Sequence, residues 1–111
     1  MNNLHLSKEA QNDLAEIKAY ITEELENPDA ALATISRITK KIRVLKNQAY
    51  VGTPLSSIAD TESDYRFLVS GNYLMFYRAY GKDVYIDRVL YGRRDYMRIL
   101  FGDTQTDETD E

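Results

Sequence analysis

The stretch from Tyr65 to Gly102, YRFLVSGNYLMFYRAYGKDVYIDRVLYGRRDYMRILFG, constrains this chain more than any other. Two short breaks, Gly71-Asn72 and Gly81-Lys82-Asp83, separate three runs rich in β-branched and aromatic residues: Tyr65–Ser70, Tyr73–Tyr80 and Val84–Tyr91. Breaks this short leave no room for a crossover helix, so the three runs are predicted to form an antiparallel meander. Side chains alternate along strands. That alternation is read as placing Tyr65, Phe67, Val69, Tyr73, Met75 and Tyr77 on one face and Arg66, Leu68, Leu74, Phe76 and Arg78 on the other. Both faces are apolar, and one layer of helices covers only one of them. Leu68, Leu74 and Phe76, set among arginines, are therefore read as an exposed patch of the kind that marks a partner site. The alternative is that Met97, Ile99, Leu100 and Phe101 fold back over it.

The first half supplies the helices. Residues 2–6 leave two readings open, an edge strand or a lead-in. Ser7 is placed to cap a first helix, and apolar residues follow at Ala10, Leu14, Ile17, Ile21 and Leu25, one face of a helix ending near Glu26. Asn27-Pro28 restarts the chain, with proline suited to the first helical position. Ala31, Ile35, Ile38, Ile42 and Leu45 form the second stripe. Two such helices joined by a short turn make an antiparallel hairpin. Lys40, Lys41, Arg43 and Lys46 gather at the second helix's C-terminal end, where the dipole favours cations. Residues 47–64 read as a loop, broken by Gly52 and Pro54. Asp95 is a cap for a short terminal helix stopped by Gly102, and DTQTDETDE after it has the composition of a disordered tail. The expected organisation is one α+β domain over 1–102 and an acidic tail over 103–111.

Composition excludes several classes of chemistry. There is no cysteine and a single histidine, His5, so no metal and no cofactor site is expected. No apolar run is long enough to span a membrane and no secretory signal opens the chain, which points to the cytoplasm. The net charge of −4 hides a segregation: residues 65–102 carry seven Lys/Arg against three acids, while 103–111 hold five acids and no base. Arg93, Arg94, Tyr96 and Arg98 cluster after the third strand, with Arg66 and Arg78 across the sheet. Arginine forks match phosphate oxygens, and tyrosine can stack a base or move a proton. Such a set suits metal-free RNA cleavage only if a base is present. That half holds no histidine. Its other candidates are Lys82, Asp83, Asp87 and the capping Asp95, so the corner reads as a binding surface before a catalytic one.

Two segments carry a family likeness: SKEAQNDLAEIKAYI in the first helix and GNYLMFYRAYGKDVYIDRVLYGRRDYMRILF in the strands. Over residues 4–101 the chain resembles the RelE/ParE superfamily of toxins from bacterial type II toxin–antitoxin modules, closer to the ParE branch. The resemblance implies an N-terminal antiparallel helical hairpin on a small antiparallel sheet with a short C-terminal helix. It implies a cognate antitoxin as partner and contact with operator DNA only through that antitoxin. Leu68, Leu74, Phe76 and Arg78 would then belong to the antitoxin groove. RelE-like members cut mRNA on the ribosome; the matching positions are Arg93 or Arg94, Tyr96 and Arg66. Two further charged positions of that branch fall here on Leu68 and Leu74. ParE-like members poison DNA gyrase instead, and the apolar residues together with RVLYGRRD favour that branch. The expected function is therefore gyrase inhibition by binding. A ribosome-dependent endoribonuclease is the runner-up, and an inactive relative that only binds antitoxin is the third reading.

Overall fold

The helices begin where the caps predict. The computed structural model describes residues 1–59, 62–92 and 94–102; Arg93 and the acidic tail lie outside the described residues. Helix α1 spans Lys8–Ala19 and α2 spans Pro28–Arg43. Ser7 Oγ accepts the Ala10 N–H at 2.9 Å, and Asn27 Oδ1 accepts the Ala30 N–H at 3.1 Å, satisfying donors that a helix start leaves free. Past Ala19, α1 continues as one π-helical turn, Tyr20–Glu24. The chain then leaves through Glu26 at φ 53, a left-handed conformation uncommon outside glycine. Such wide turns concentrate at functional sites.

Among the described residues the sheet has five strands where the sequence displayed three: β1 Asn3–Leu6, β2 Thr53–Pro54, β3 Arg66–Ser70, β4 Tyr73–Tyr80 and β5 Asp83–Tyr91, in the order β1-β5-β4-β3-β2. The meander is β3-β4-β5. Residues 3–6 resolve as an edge strand, parallel to β5, and the 47–64 loop contributes β2 and the buried Leu55.

Register corrects the assignment of faces. The two-residue turn Gly71-Asn72 makes Ser70 pair with Tyr73, so Leu68 pairs with Met75 and Phe67 with Phe76. Paired residues share a face, and a one-residue slip moves a whole strand's side chains across the sheet. Leu68 therefore points with Met75 and Tyr77 into the core under the helices, beside Ile38, Ile42, Leu45, Ile86 and Val89. It does not belong to the second face. That face carries Phe67, Leu74, Phe76 and Leu90, and it is not open. Helix α3, Tyr96–Phe101, lies over it with Met97, Ile99, Leu100 and Phe101, helped by Leu55. Phe76 exposes no surface. The alternative cover is the one the molecule uses, because Asp95 caps α3 through the Arg98 N–H and the helix is short enough to lie across the strands.

Two details fasten the layers. Strand β1 ends opposite Ile86, so β5 has no strand neighbour on that side beyond it. Helix α1 runs along this stretch instead. The buried Asp13 accepts the Val89 N–H at 2.9 Å and receives a two-pronged bond from Arg88, with Nε and Nη2 each at 2.8 Å. At the opposite flank, Tyr77 Oη accepts the Gly52 N–H at 2.9 Å. A Cβ at Gly52 would fall 2.6 Å from that oxygen and 2.8 Å from the Phe67 carbonyl, so only glycine lets the loop come this close.

Candidate functional site

Of the residues proposed for a cleavage site, Arg93 lies outside the described residues, and Arg66, Arg94 and Tyr96 are not brought together. Arg66 Nη1 donates to the carbonyls of Tyr50 at 3.1 Å and Gly52 at 2.8 Å, with the guanidinium over the Tyr50 ring. It fastens a loop on the helix side of the sheet. Arg94 follows β5, whose end at Tyr91 is roughly 13 Å from the Arg66 row along the strand direction. Tyr96 sits on the second face with its ring 5.3 Å from that of Phe76. Arg98 pairs with Asp95 at 3.6 Å. Of the antitoxin set, Leu68 and Phe76 are buried, whereas Leu74 and Arg78 keep part of their surface.

What the structure does assemble is a groove at the end of α1. Ile17, Tyr20 and Leu25 form one wall; Tyr73, Tyr91 and Arg94 form the other, around about 510 Å³. A second hollow of about 260 Å³ shares Leu25 and Tyr73 and reaches Thr34 and Arg37 on α2. The two adjoin at Leu25 and Tyr73, beside the π-helical turn. Tyr20, in that turn, and Leu25, just after it, are 55% and 57% exposed. Tyr73 and Tyr91 meet edge to face at 5.8 Å. Burial, then the neighbouring Tyr91 and Tyr20, raise the Tyr73 pKa, so its phenol stays a neutral donor. The groove is mostly apolar, and Asp13, Glu16 and Arg94 supply the charged groups of its lining.

Sequence reasoning named Arg94 but missed the tyrosines and Asp13. Asp13 carried a signal: it stands three residues after Ala10 and four before Ile17, within the inward stripe of α1, where an acid needs a buried partner. Tyr20 adjoins Ile21 of the same stripe, and nothing in the sequence announces the π turn that holds it.

The second face holds a further network. Tyr65 Oη donates to Asp87 Oδ2 at 2.9 Å, and Arg78 Nε lies 2.9 Å from the same oxygen, off the N–H axis, as an ion pair. Asp87 is the extra residue of a bulge in β5, between the pairs Tyr77–Ile86 and Phe76–Arg88. This turns its carboxylate toward both partners. Burial first, then the bond to Asp87, push the Tyr65 pKa up to about 12 from 10.0. The neutral phenol is what the fold favours. Its contribution is complete below the unfolded value of 10.0 and is lost as pH climbs through about 12. Tyr65→Phe is therefore expected to be less stable than the parent near neutral pH, with the gap closing across that window in urea titrations. A gap that stays constant there removes the linkage.

The order and packing of these elements are shared with solved structures of other proteins. A family model described as ParE toxin of type II toxin–antitoxin system, parDE, matches residues 4–96, and the chain belongs to that family. Among solved structures, a chain from a chromosomal ParDE toxin–antitoxin system of P. aeruginosa is similar at TM-score 0.66 and 24% identity, covering 80% of this chain and 94% of that one. YafQ from E. coli strain BL21(DE3) is similar at TM-score 0.51 and 16% identity, covering 92% of this chain and all of the other. At these identities the likeness is one of fold. No curated protein sequence matches the chain. Among the described residues, no helix is long and apolar enough to cross a membrane.

Proposed function

We propose that this ParE-family toxin arrests growth in the cytoplasm by binding DNA gyrase, and that a cognate antitoxin silences it by seating a segment in the α1 groove. The observation that carries the reading is the groove itself: an open, apolar and tyrosine-lined concavity fits docking. Arg66, Arg94 and Tyr96 stand apart on two sides of the sheet, which does not suit phosphodiester cleavage, where acid, base and cation must converge on one bond. Leu74 and Arg78 are assigned to a second antitoxin contact at the margin of α3; Phe76 joins it only if α3 is displaced. Operator DNA is reached through the antitoxin alone. Residues 1–102 are the toxin unit, and the acidic tail is dispensable for toxicity.

Induced expression in bacteria, followed by mapping of mRNA ends and assay of plasmid supercoiling, tests the activity. Lost supercoiling with intact mRNA is expected. Codon-positioned mRNA cuts with normal supercoiling would overturn it in favour of ribosome-dependent cleavage, and no growth effect would leave only an antitoxin-binding protein. For the groove, Tyr20→Ala combined with Leu25→Asp is expected to weaken antitoxin binding at least about 30-fold by calorimetry, as loss of a central anchor does. Unchanged affinity, with Leu74→Asp weakening it instead, moves the main contact to the second face.

A further inference from the structure

Beyond the reach of α3, the second face is open where β1, β5 and β4 run side by side. Register sets His5 beside Tyr85, Tyr85 beside Arg78, and Tyr80 beside Asp83. The His5 ring stacks nearly flat on Tyr85, with centroids 4.9 Å apart at 18°. Tyr80 tilts against Tyr85 at 6.4 Å and 49°. Tyr80 is 46% and Tyr85 37% exposed, and half of the His5 side chain is in solvent. The core behind them is complete without these rings, because Val84, Ile86 and Tyr77 fill it from the other face.

Carboxylates stand at the edges of this row. Asp83 Oδ1 takes His5 Nε2 at 2.9 Å and Asn3 Nδ2 at 3.5 Å. Asp64 Oδ2 takes the Tyr80 hydroxyl at 2.6 Å. The other oxygen of each accepts no hydrogen bond from a described residue. The hydrogen bond from His5 holds Asp83 below the usual carboxylate range, so it is ionised at neutral pH. Of the nearby cations, Arg78 is engaged by Asp87 and lies over the Tyr65 ring, and Lys82 sits in the β4–β5 turn.

We infer that the His5–Tyr85–Tyr80 row with Asp83 and Asp64 is a binding site for an arginine side chain presented by a partner protein. A guanidinium is planar and cationic. It lies on phenol faces, and its fork reaches the carboxylate oxygens that remain open. The rings are already ordered by their mutual contacts, so little freedom is lost on binding. Nucleic-acid bases stack on such rings equally well, but Asp64 and Asp83 repel the phosphates that give nucleic acids most of their affinity. The site lies on the opposite side of the sheet from the α1 groove, so neither proposal depends on the other.

The test is an NMR titration of the isotopically labelled full chain with the peptide acetyl-Gly-Arg-Arg-Gly-amide, and with the same peptide carrying neutral citrulline for arginine. Amide shifts centred on His5, Tyr80, Asp83 and Tyr85 are expected, and citrulline should abolish them. Tyr80→Leu with Tyr85→Leu should weaken binding at least about fivefold, the scale of one to two cation–π contacts. Asp83→Asn, on an exposed side chain, should weaken it as well and guards against a folding defect in the double variant. Shifts confined to residues 103–111 or to the groove overturn the site, as does equal binding of the citrulline peptide. So do unchanged affinities in both variants, or a single-stranded oligonucleotide that perturbs these residues more strongly than the arginine peptide.

Discussion

Asp13→Ala is expected to lower folding stability by about 3–5 kcal/mol, the cost of leaving a buried ion-pair partner alone. The carboxylate is 5% exposed and does two jobs at once. It neutralises Arg88 through both prongs, and it accepts the Val89 N–H on the stretch of β5 that no strand covers. Alanine leaves a partly buried guanidinium without its bidentate partner and a buried backbone donor without an acceptor. A loss of this size is a large share of the total stability of a domain of this length. Asp13→Asn keeps an acceptor for Val89 and loses the charge, so it should fall between parent and alanine. Replacing both members, Asp13→Leu with Arg88→Met, should cost less than Asp13→Ala alone, since no charge is then stranded. Urea denaturation at neutral pH reads all three. A loss under about 1 kcal/mol for the alanine variant would mean that the edge rearranges and that the pair is not what holds α1 to the sheet.

Phe76→Ala is the second large effect, again about 3–5 kcal/mol, the usual cost of emptying a buried aromatic site. Phe76 is the centre of the smaller core. Its ring lies 6.1 Å from Phe67 and 5.3 Å from Tyr96, and Leu55 and Leu90 close it in. Helix α3 has six residues, too few to persist without this platform. The variant should therefore lose amide-exchange protection across Met97–Phe101 well before the rest of the molecule loosens. The half-buried Leu74, changed to alanine, should cost less and leave α3 docked. If α3 stays protected in Phe76→Ala, its attachment comes from elsewhere.

Much of the fold was legible because the signals were local. Ser7, Asn27 and Asp95 cap helices as their side chains allow. Gly71 and Gly81 take the positive φ that the hairpin turns need. The features that stayed hidden depend on distant pairs. Nothing near Asn3–Leu6 says that the partner is β5, and β2 is two residues that become a strand only beside Phe67 and Arg66. The faces were misread at Leu68 because the length of one turn decides register, and a count off by one inverts a strand. At the candidate site, Arg94 was visible as a charge. The tyrosines around it were not, because they come from α1, β4 and β5 and meet only once the π turn has formed.

The parallel pairing of β1 with β5 has a consequence for synthesis. The partners Asn3 and Asp83, His5 and Tyr85 stand at opposite ends of the coding order. While the chain leaves the ribosome, its first strand has no complement until residues 83–86 are out. Helices α1 and α2 can pair early from local contacts, but the sheet closes only at the end, and such long-range closure is the slow step of folding. A toxin built this way matures late. Its first strand stays unpaired until β5 is available, and the sheet is complete only after both helices and the meander are in place.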